Sequence, residues 1–570
     1  MLLERRRSSA NARQGAPYRV ANQSVPTVCG ILAAAAISVL ATGYTFNDLL
    51  VYLPLTEHLR DASLYPGSPL VEHLLGMPYP LYRIYSSVYD QHVLFGFWLV
   101  VRIATVGALY ALARQVVRDR LAAALAVSLV VFTPGTYGTL GLTQVLLSEP
   151  VQYAVALPLC LFALYAALRG HALPAFVLAG LACDLQPILG FVAAVLVAGG
   201  VIADSTRGRS RASYAGIVLS AAAGFLVALP VLVVTVASSS IWSGVTTAEF
   251  VDMVRFGAYF HVLPGAFPVD EYIGTATVAG FAVLGLFEEA LRRYRRTLLV
   301  WLGLIVVLCL FGAVFTEVIP LPLVMKMMPF RATLFFKVLG LICAGVYLRA
   351  ELAREPVLGW IVAGLVVVGM TVINPAAIAG LSVALVLSVR RRLNSSSRDP
   401  QFVVGPVGRY FARLLVVLPT LLFLATLPYR LDAVRIPGHY PPTALELAAD
   451  WARAATAKDA VFITPPDADM AEFTLAAQRT TLGDAKSAGQ ALFDSQFGRV
   501  LYRRLADLGC RVPEGPWCVG NTYASFDEAT FQALATRYGA CYALTRAQHT
   551  PALPEVYRND SFHVYALCAS

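Results

Sequence analysis

Apolar runs, many of about 15–22 residues and so long enough for a helix to cross a bilayer, recur along most of this chain. Arginines cluster tightly between them, at Arg5–Arg7, Arg114–Arg120, Arg207–Arg211, Arg292–Arg296 and Arg390–Arg392. A chain written this way has few options. Inside hydrocarbon, each segment must satisfy its own backbone polar groups, so the runs read as α-helices. Arginine and lysine are retained on the cytoplasmic side, so the clusters mark one face of the membrane. The expected fold class is an α-helical polytopic membrane protein.

The runs are Val25–Tyr44, Gln91–Leu112, Leu121–Phe132, Val151–Leu168, Leu173–Ala203, Tyr214–Ala237, Ile273–Leu291, Leu298–Phe315, Thr333–Leu348, Leu358–Ile373, Ala376–Val389 and Leu414–Leu427. Leu173–Ala203 reads as two short spans broken at Gln186-Pro187, which brings the count to about thirteen. With Arg5–Arg7 in the cytoplasm, that count puts every later arginine cluster there too and sends the C-terminus outward. One crossing fewer would reverse the C-terminal side. The first run is read as an uncleaved signal anchor, because no small-x-small cleavage site follows it. The expected organisation is a cytoplasmic tail (1–24), a transmembrane body (25–427) with a first external loop at 45–90, and an external domain (428–570). In a bacterium this is a multi-pass inner-membrane protein with a periplasmic domain.

Of the 570 residues, 58% are hydrophobic and 14% charged, against about 25% charged in soluble domains. The formal net charge of +9 does not point to nucleic acid, because no basic stripe is interleaved with aromatics. Five of the nine cysteines, Cys29, Cys160, Cys183, Cys309 and Cys343, lie in apolar runs. Cys510, Cys518, Cys541 and Cys568 lie near the C-terminus without metal-like spacing. They allow two disulfides of undetermined connectivity. Val461–Thr464, Cys541–Leu544 and Phe562–Leu567 read as strands among helices at Ala444–Ala457 and Phe526–Tyr538, predicting a small α/β layer.

The external segments 45–90, 134–150, 238–272 and 316–331 carry the chemistry-bearing residues. Charge beside a span is expensive, so acidic residues there are functional candidates. Asp48, just past the first span, suits a proton acceptor or a metal ligand; the alternative is a cap for a helix starting at Leu49. Glu57 and His58 follow in the same loop, as substrate-binding candidates. Glu149 closes the second external segment directly before a span, where a helix dipole would also favour it. Asp184 and Gln186 flank the helix break and suit a wet cavity. Arg255 and His261, with aromatics between them, suit a phosphate and a lipid or sugar ring, or else an interfacial anchor. Lys326 and Arg331 are cations at an external span mouth, where topology statistics disfavour them.

An acidic residue just past the first span, the Tyr52-x-Pro54 helix and the turn Asp61-x-Ser63-Leu64-Tyr65-Pro66-Gly67 resemble the first external loop of bacterial GT-C superfamily membrane glycosyltransferases. Protein O-mannosyltransferases, the aminoarabinose transferases of lipid A and the oligosaccharyltransferase catalytic subunit belong to it. The resemblance implies a GT-C-like body with a following soluble domain. It implies Asp48 as catalytic base or helper of a divalent metal, Glu149 as the second acidic site, and Arg331, with Lys326, on a donor phosphate. The superfamily's Asp-x-Asp form of the second site is absent, leaving metal dependence open. No Trp-Trp-Asp motif is present, which disfavours protein N-glycosylation. The activity implied is transfer of a sugar from a polyprenyl-phosphate donor to an envelope glycan, lipid or protein at the periplasmic face. The alternative is a non-enzymatic transporter, flippase or scaffold for lipid-linked envelope glycans. A transporter calls for internal repeats and charges on several spans; the chain has no clear repeat, and its charge gathers at one face.

Overall fold

A computed structural model describes residues 17–133, 135–205, 213–238, 245–354, 356–371, 374–393 and 440–568. The Leu414–Leu427 run and the first arginine cluster lie outside them. The body opens with α1 (Pro17–Thr42). The segment after α1 folds into α2 (Leu49–Arg60), α3 (Pro69–Gly76) and α4 (Pro80–Val88). Proline begins α3 and α4, where its missing N–H would have had no intrahelical partner.

The next helices are α5 (Gln91–Val116), α6 (Arg120–Phe132), α7 (Gln152–Leu168), α8 (Ala172–Leu185), α9 (Pro187–Ser205) and α10 (Tyr214–Ser238). Two short helices, α11 (Thr247–Gly257) and α12 (Tyr259–Val262), come next. The body closes with α13 (Val269–Leu286), α14 (Arg295–Ala313), α15 (Pro322–Lys326), α16 (Thr333–Arg354), α17 (Pro356–Thr371) and α18 (Asn374–Leu393).

Among the described residues six helical stretches are long and apolar enough to cross a membrane. They are α5, α9, most of α10, α13, α14 with its extension to Val318, and Pro322–Arg354, which ends in α16. Shorter apolar helices accompany them at Pro26–Leu40, α6, α7, α8 and Ala377–Ser388. Of the thirteen or so spans expected, the described residues thus show six of full length and five shorter apolar helices. Between α6 and α7 the chain makes a glycine-rich loop, with Gly135, Gly138 and Gly141 at positive φ.

The break expected at Gln186-Pro187 is present, with α8 ending at Leu185 and α9 starting at Pro187. The two helices touch there, because a Cβ on Gly190 would lie 2.2 Å from the Cys183 nitrogen. Close packing of small residues is what holds helices together where lipid removes the hydrophobic drive. α8 and α10 show it, since a Cβ on Gly180 would meet the Gly224 carbonyl at 2.4 Å. α16 runs through the centre, with Leu334–Leu348 buried throughout.

The C-terminal part carries a five-stranded mixed sheet rather than the three strands expected. The strands are β1 (Val461–Ile463), β2 (Thr480–Thr481), β3 (Tyr542–Arg546), β4 (Glu555–Arg558) and β5 (Phe562–Ala566), in the order β2-β1-β3-β5-β4. β1 pairs in parallel with β2 and β3, while β5 pairs antiparallel with β3 and β4. The helices α19 (Ala444–Ala455), α20 (Met470–Ala477), α21 (Ser495–Asp507) and α22 (Glu528–Tyr538) surround it. α19 starts with a reciprocal capping box between Thr443 and Glu446. The four C-terminal cysteines pair as Cys510–Cys518 and Cys541–Cys568.

The sheet domain rests on α11 and on the segment after α1. Met253 and Phe256 of α11 join its core beside Phe497 and Tyr502. Tyr502 donates to the Met253 carbonyl at 2.7 Å, and Arg499 grips Glu249 with two bonds of 2.6 and 2.8 Å. Lys458 reaches Asp61 of the first loop at 2.7 Å.

Candidate active site

Asp48 precedes α2 in the N-cap position but makes no capping hydrogen bond. That task falls to Glu149, whose two carboxylate oxygens accept from the amides of Asn47, Asp48 and Leu49 at 2.8, 2.7 and 2.9 Å. The first-turn amides of a helix have no intrahelical acceptor, and a buried carboxylate from 100 residues away supplies one. Thr45 is zipped to Ser148 by a backbone bond of 3.3 Å and a hydroxyl contact of 3.0 Å. Burial, and behind it the charge of Asp48, push the Glu149 carboxyl up, and the three amides pull the other way. Both oxygens accept only from N–H groups, which is the geometry of a carboxylate.

Relieved of capping, the Asp48 side chain is 58% exposed and faces Lys486, whose ammonium is 3.4 Å away. Lys486 comes from the C-terminal domain and is buried; it also donates to the Asn47 side-chain oxygen. Its ammonium lies 5.9 Å from the Trp517 ring. Trp517 donates to the Gly257 carbonyl at 3.2 Å and meets Phe260 edge to face.

His261 follows Phe260 on α12. Its Nδ1 is 2.8 Å from the Gly141 carbonyl; a carbonyl only accepts, so Nδ1 carries the proton and Nε2 keeps the lone pair. Burial, then the charge of Arg331, bring the ring down to about 3, so it is neutral at physiological pH. The charges of Asp48 and Lys486 also act on this ring. Asp48, Glu149, Lys486, His261 and Arg331 thus form one electrostatic neighbourhood. The guanidinium of Arg331 sits over Tyr153 at 5.2 Å and has no carboxylate partner among the described residues.

The other expected residues divide. Lys326 is buried with its ammonium 5.5 Å from the Phe250 ring and no hydrogen-bond partner. Asp184 keeps one carboxylate oxygen buried without a partner, next to Gln186 at the α8–α9 turn. Ile188 of that turn packs against Phe250, Val262 and Met325, beneath the loops that carry Lys326 and His261. Arg255 stands apart from His261: its side chain is 62% exposed and pairs with Asp252 at 3.6 Å. Glu57 is buried, accepts from the Tyr65 hydroxyl and is pushed up by burial. His58 bonds the Leu64 carbonyl at 2.8 Å. These two shape the first loop's turn against the C-terminal domain, where Thr480 donates to Pro66 at 3.0 Å.

Metal ligation fits this arrangement poorly. Three amides use both Glu149 oxygens, and an ammonium faces Asp48. No group of three or more His, Cys, Asp or Glu side chains suited to a metal occurs among the described residues.

Lys486 and Trp517 escape a motif search, because each lies hundreds of residues from the loop it meets. One trace was visible. Only four of the 44 basic residues are lysines, at 326, 337, 458 and 486. Three of the four are buried, and the fourth, Lys458, pairs with the first loop.

Residues 443–508, which include Lys486, match a family described as a domain of unknown function, DUF6798. No curated protein matches the chain in sequence. Solved structures of similar shape include an Archaeoglobus fulgidus oligosaccharyltransferase in the apo form (TM-score 0.46, 12% identity, covering 91% of this chain and 69% of that one). A second is AglB of the same organism in complex with an inhibitory peptide and a dolichol-phosphate (TM-score 0.45, 13% identity, 91% and 69%). A third is ArnT from Cupriavidus metallidurans bound to undecaprenyl phosphate (TM-score 0.47, 14% identity, 96% and 98%).

Proposed function

We propose that the chain is a membrane glycosyltransferase that moves a sugar from a polyprenyl-phosphate donor to a cell-envelope acceptor at its external face. The observation that carries this reading is an exposed Asp48 carboxylate, free of capping duty and paired with Lys486, whose charge acts on the same His261 ring as that of Arg331. In the reaction the acceptor hydroxyl oxygen bonds to the anomeric carbon while the bond from that carbon to the phosphate oxygen breaks. Asp48 takes the hydroxyl proton. Arg331 meets the charge that grows on the departing phosphate, where a fixed cation lowers the barrier most. Glu149 is a positioning residue, because it holds the backbone of Asp48 through three amides. The two disulfides suit an oxidising compartment outside the cytoplasm.

The test is Asp48→Asn, assayed for sugar transfer from a polyprenyl-phosphate donor into envelope acceptors in membranes carrying the full chain. Transfer should vanish while insertion and yield stay normal. Full transfer by the variant would remove Asp48 from the chemistry. Lipid-phosphate movement between leaflets without any transfer would favour a transporter instead.

A further inference from the structure

α5 is one of the helices long and apolar enough to cross a membrane, yet it carries a charge near its middle. Arg102 is 3% exposed and has no carboxylate partner among the described residues. A charged side chain inside such a helix is costly and persists where the protein uses it. Its Nη2 donates to the Thr42 hydroxyl at 2.9 Å and to the Leu147 carbonyl. Nη1 is buried without a partner, so the polar contacts of the guanidinium go to those two segments. Trp98, one turn earlier on the same face of α5, is also buried and donates to the same carbonyl at 2.9 Å. The guanidinium lies over its ring at 4.9 Å. A carbonyl oxygen has two lone pairs, and these two donors take both.

The two segments that Arg102 joins are the two that build the Asp48–Glu149 unit. Thr42 closes α1, and the chain runs on through Thr45 to Asp48. Leu147 leads through Ser148 to Glu149. Thr45 meets Ser148, and Glu149 takes the amides of Asn47, Asp48 and Leu49. On the far side of Glu149, the Pro150 carbonyl accepts from the Tyr85 hydroxyl of α4 at 2.6 Å. The segment carrying Glu149 is therefore pinned on both sides, and one pin comes from a membrane-crossing helix. Any carbonyl would satisfy an arginine that merely sought polar groups. This one bonds the pair of segments whose register sets the backbone of Asp48.

We propose that Arg102, with Trp98, is a positioning residue for sugar transfer: by holding the Leu147 carbonyl it fixes Glu149 against the three amides, and through them Asp48. The proposal rests on the reading of Asp48 as the base. Release of the carbonyl lets the Glu149 carboxylate slide along those amides and carries Asp48 off line. A displaced base costs rate. It leaves donor affinity alone, because the donor phosphate is assigned to Arg331.

The experiment compares the full chain in lipid nanodiscs with Arg102→Lys and Trp98→Phe. Arg102→Lys keeps the charge but replaces the planar fork by a single ammonium. Trp98→Phe keeps an aromatic ring and removes the N–H, so it serves if the first variant fails to insert. Hydrogen exchange at Asn47–Leu49 should quicken by at least about tenfold in both, while strands β3 and β5 exchange as in wild type. In the transfer assay kcat should fall by at least about tenfold, with KM for the polyprenyl-phosphate sugar unchanged. Added to Glu149→Gln, either variant should cause little further loss, because both act through the same carboxylate. A merely structural role would quicken exchange throughout and leave kcat per folded chain, and additivity with Glu149→Gln, intact; that pattern overturns the proposal. Wild-type exchange at Asn47–Leu49 in both variants overturns it too. Exchange is read without any activity, so faster exchange there in a chain whose wild type transfers no sugar would keep the clamp and overturn the reaction assigned to the site.

Discussion

At the end of the body that meets the C-terminal domain, Asp48, Glu149, His261, Arg331 and Lys486 come from five separate segments. Asp48, Glu149, His261 and Lys486 are each held by hydrogen bonds or an ion pair to a different segment. At the opposite end Arg292, Arg293 and Arg296 come from a single stretch and stand exposed. The first arrangement requires the whole fold, including the C-terminal domain, before two of its charges meet. The second follows from local sequence alone. Preorganised charge is costly to assemble and suits chemistry; open charge is cheap and suits lipid or water.

Substitutions can break that contrast, and the largest effect should come from Glu149→Ala. It leaves three amides at the start of α2 without their acceptor, at about 1–3 kcal/mol for each buried donor left unsatisfied. The thermal midpoint of the solubilised protein should fall sharply. Asp48→Ala, at an exposed side chain with no cap bond, should stay within about 0.5 kcal/mol of wild type. Equal losses from the two variants would erase the division of labour between these carboxylates.

Lys486→Met should come next. It removes the ammonium beside Asp48 but keeps a similar apolar stem, so folding should survive while transfer drops by about 10²-fold. Unchanged transfer would confine the C-terminal domain to a covering role.

Acid should loosen the joint between this domain and the first loop more gently. His73 donates to Asp494 at 3.0 Å. Burial raises the Asp494 carboxyl, but that bond and the amides of Phe497 and Gln496 outweigh it and hold it below the usual range. A carboxyl lowered on folding contributes stability that is full above its unfolded value of 3.8 and is lost as the pH falls through the folded value. Hydrogen exchange at the start of α21 should therefore accelerate below that pH, and His73→Phe should narrow the difference between neutral and acid. No pH dependence there would remove this contact from the docking.

The smallest effect belongs to the arginine stretch before α14. Arg292→Ala breaks an exposed pair with Glu289 and should cost no more than about 0.5 kcal/mol, read as thermal midpoint. A larger loss would mean that this end is structurally organised after all.

Apolar run length made most body helices legible, and Gln186-Pro187 announced the α8–α9 break. Asp48 and Glu149 were each visible as acids beside a span. Their relation was not, because Glu149 answers amides whose need appears only when α2 starts at Leu49. Arg255 and His261 looked like one grip because they lie six residues apart. The apolar pattern of α11, with Phe250, Val251, Met253, Val254 and Phe256 buried, turns Arg255 outward. β2 was too short to read, and β4 is mostly exposed and polar.

The proposed function requires that the neighbourhood of Asp48, through Arg331, receives a lipid-linked phosphate. Its most direct test is the equilibrium binding of polyprenyl phosphate to the purified chain, comparing Arg331→Ala with R292K/R293K/R296K. Binding should weaken by at least about tenfold in the first and stay at wild-type level in the second. Wild-type binding by Arg331→Ala, or loss of binding confined to the triple arginine variant, would contradict the account.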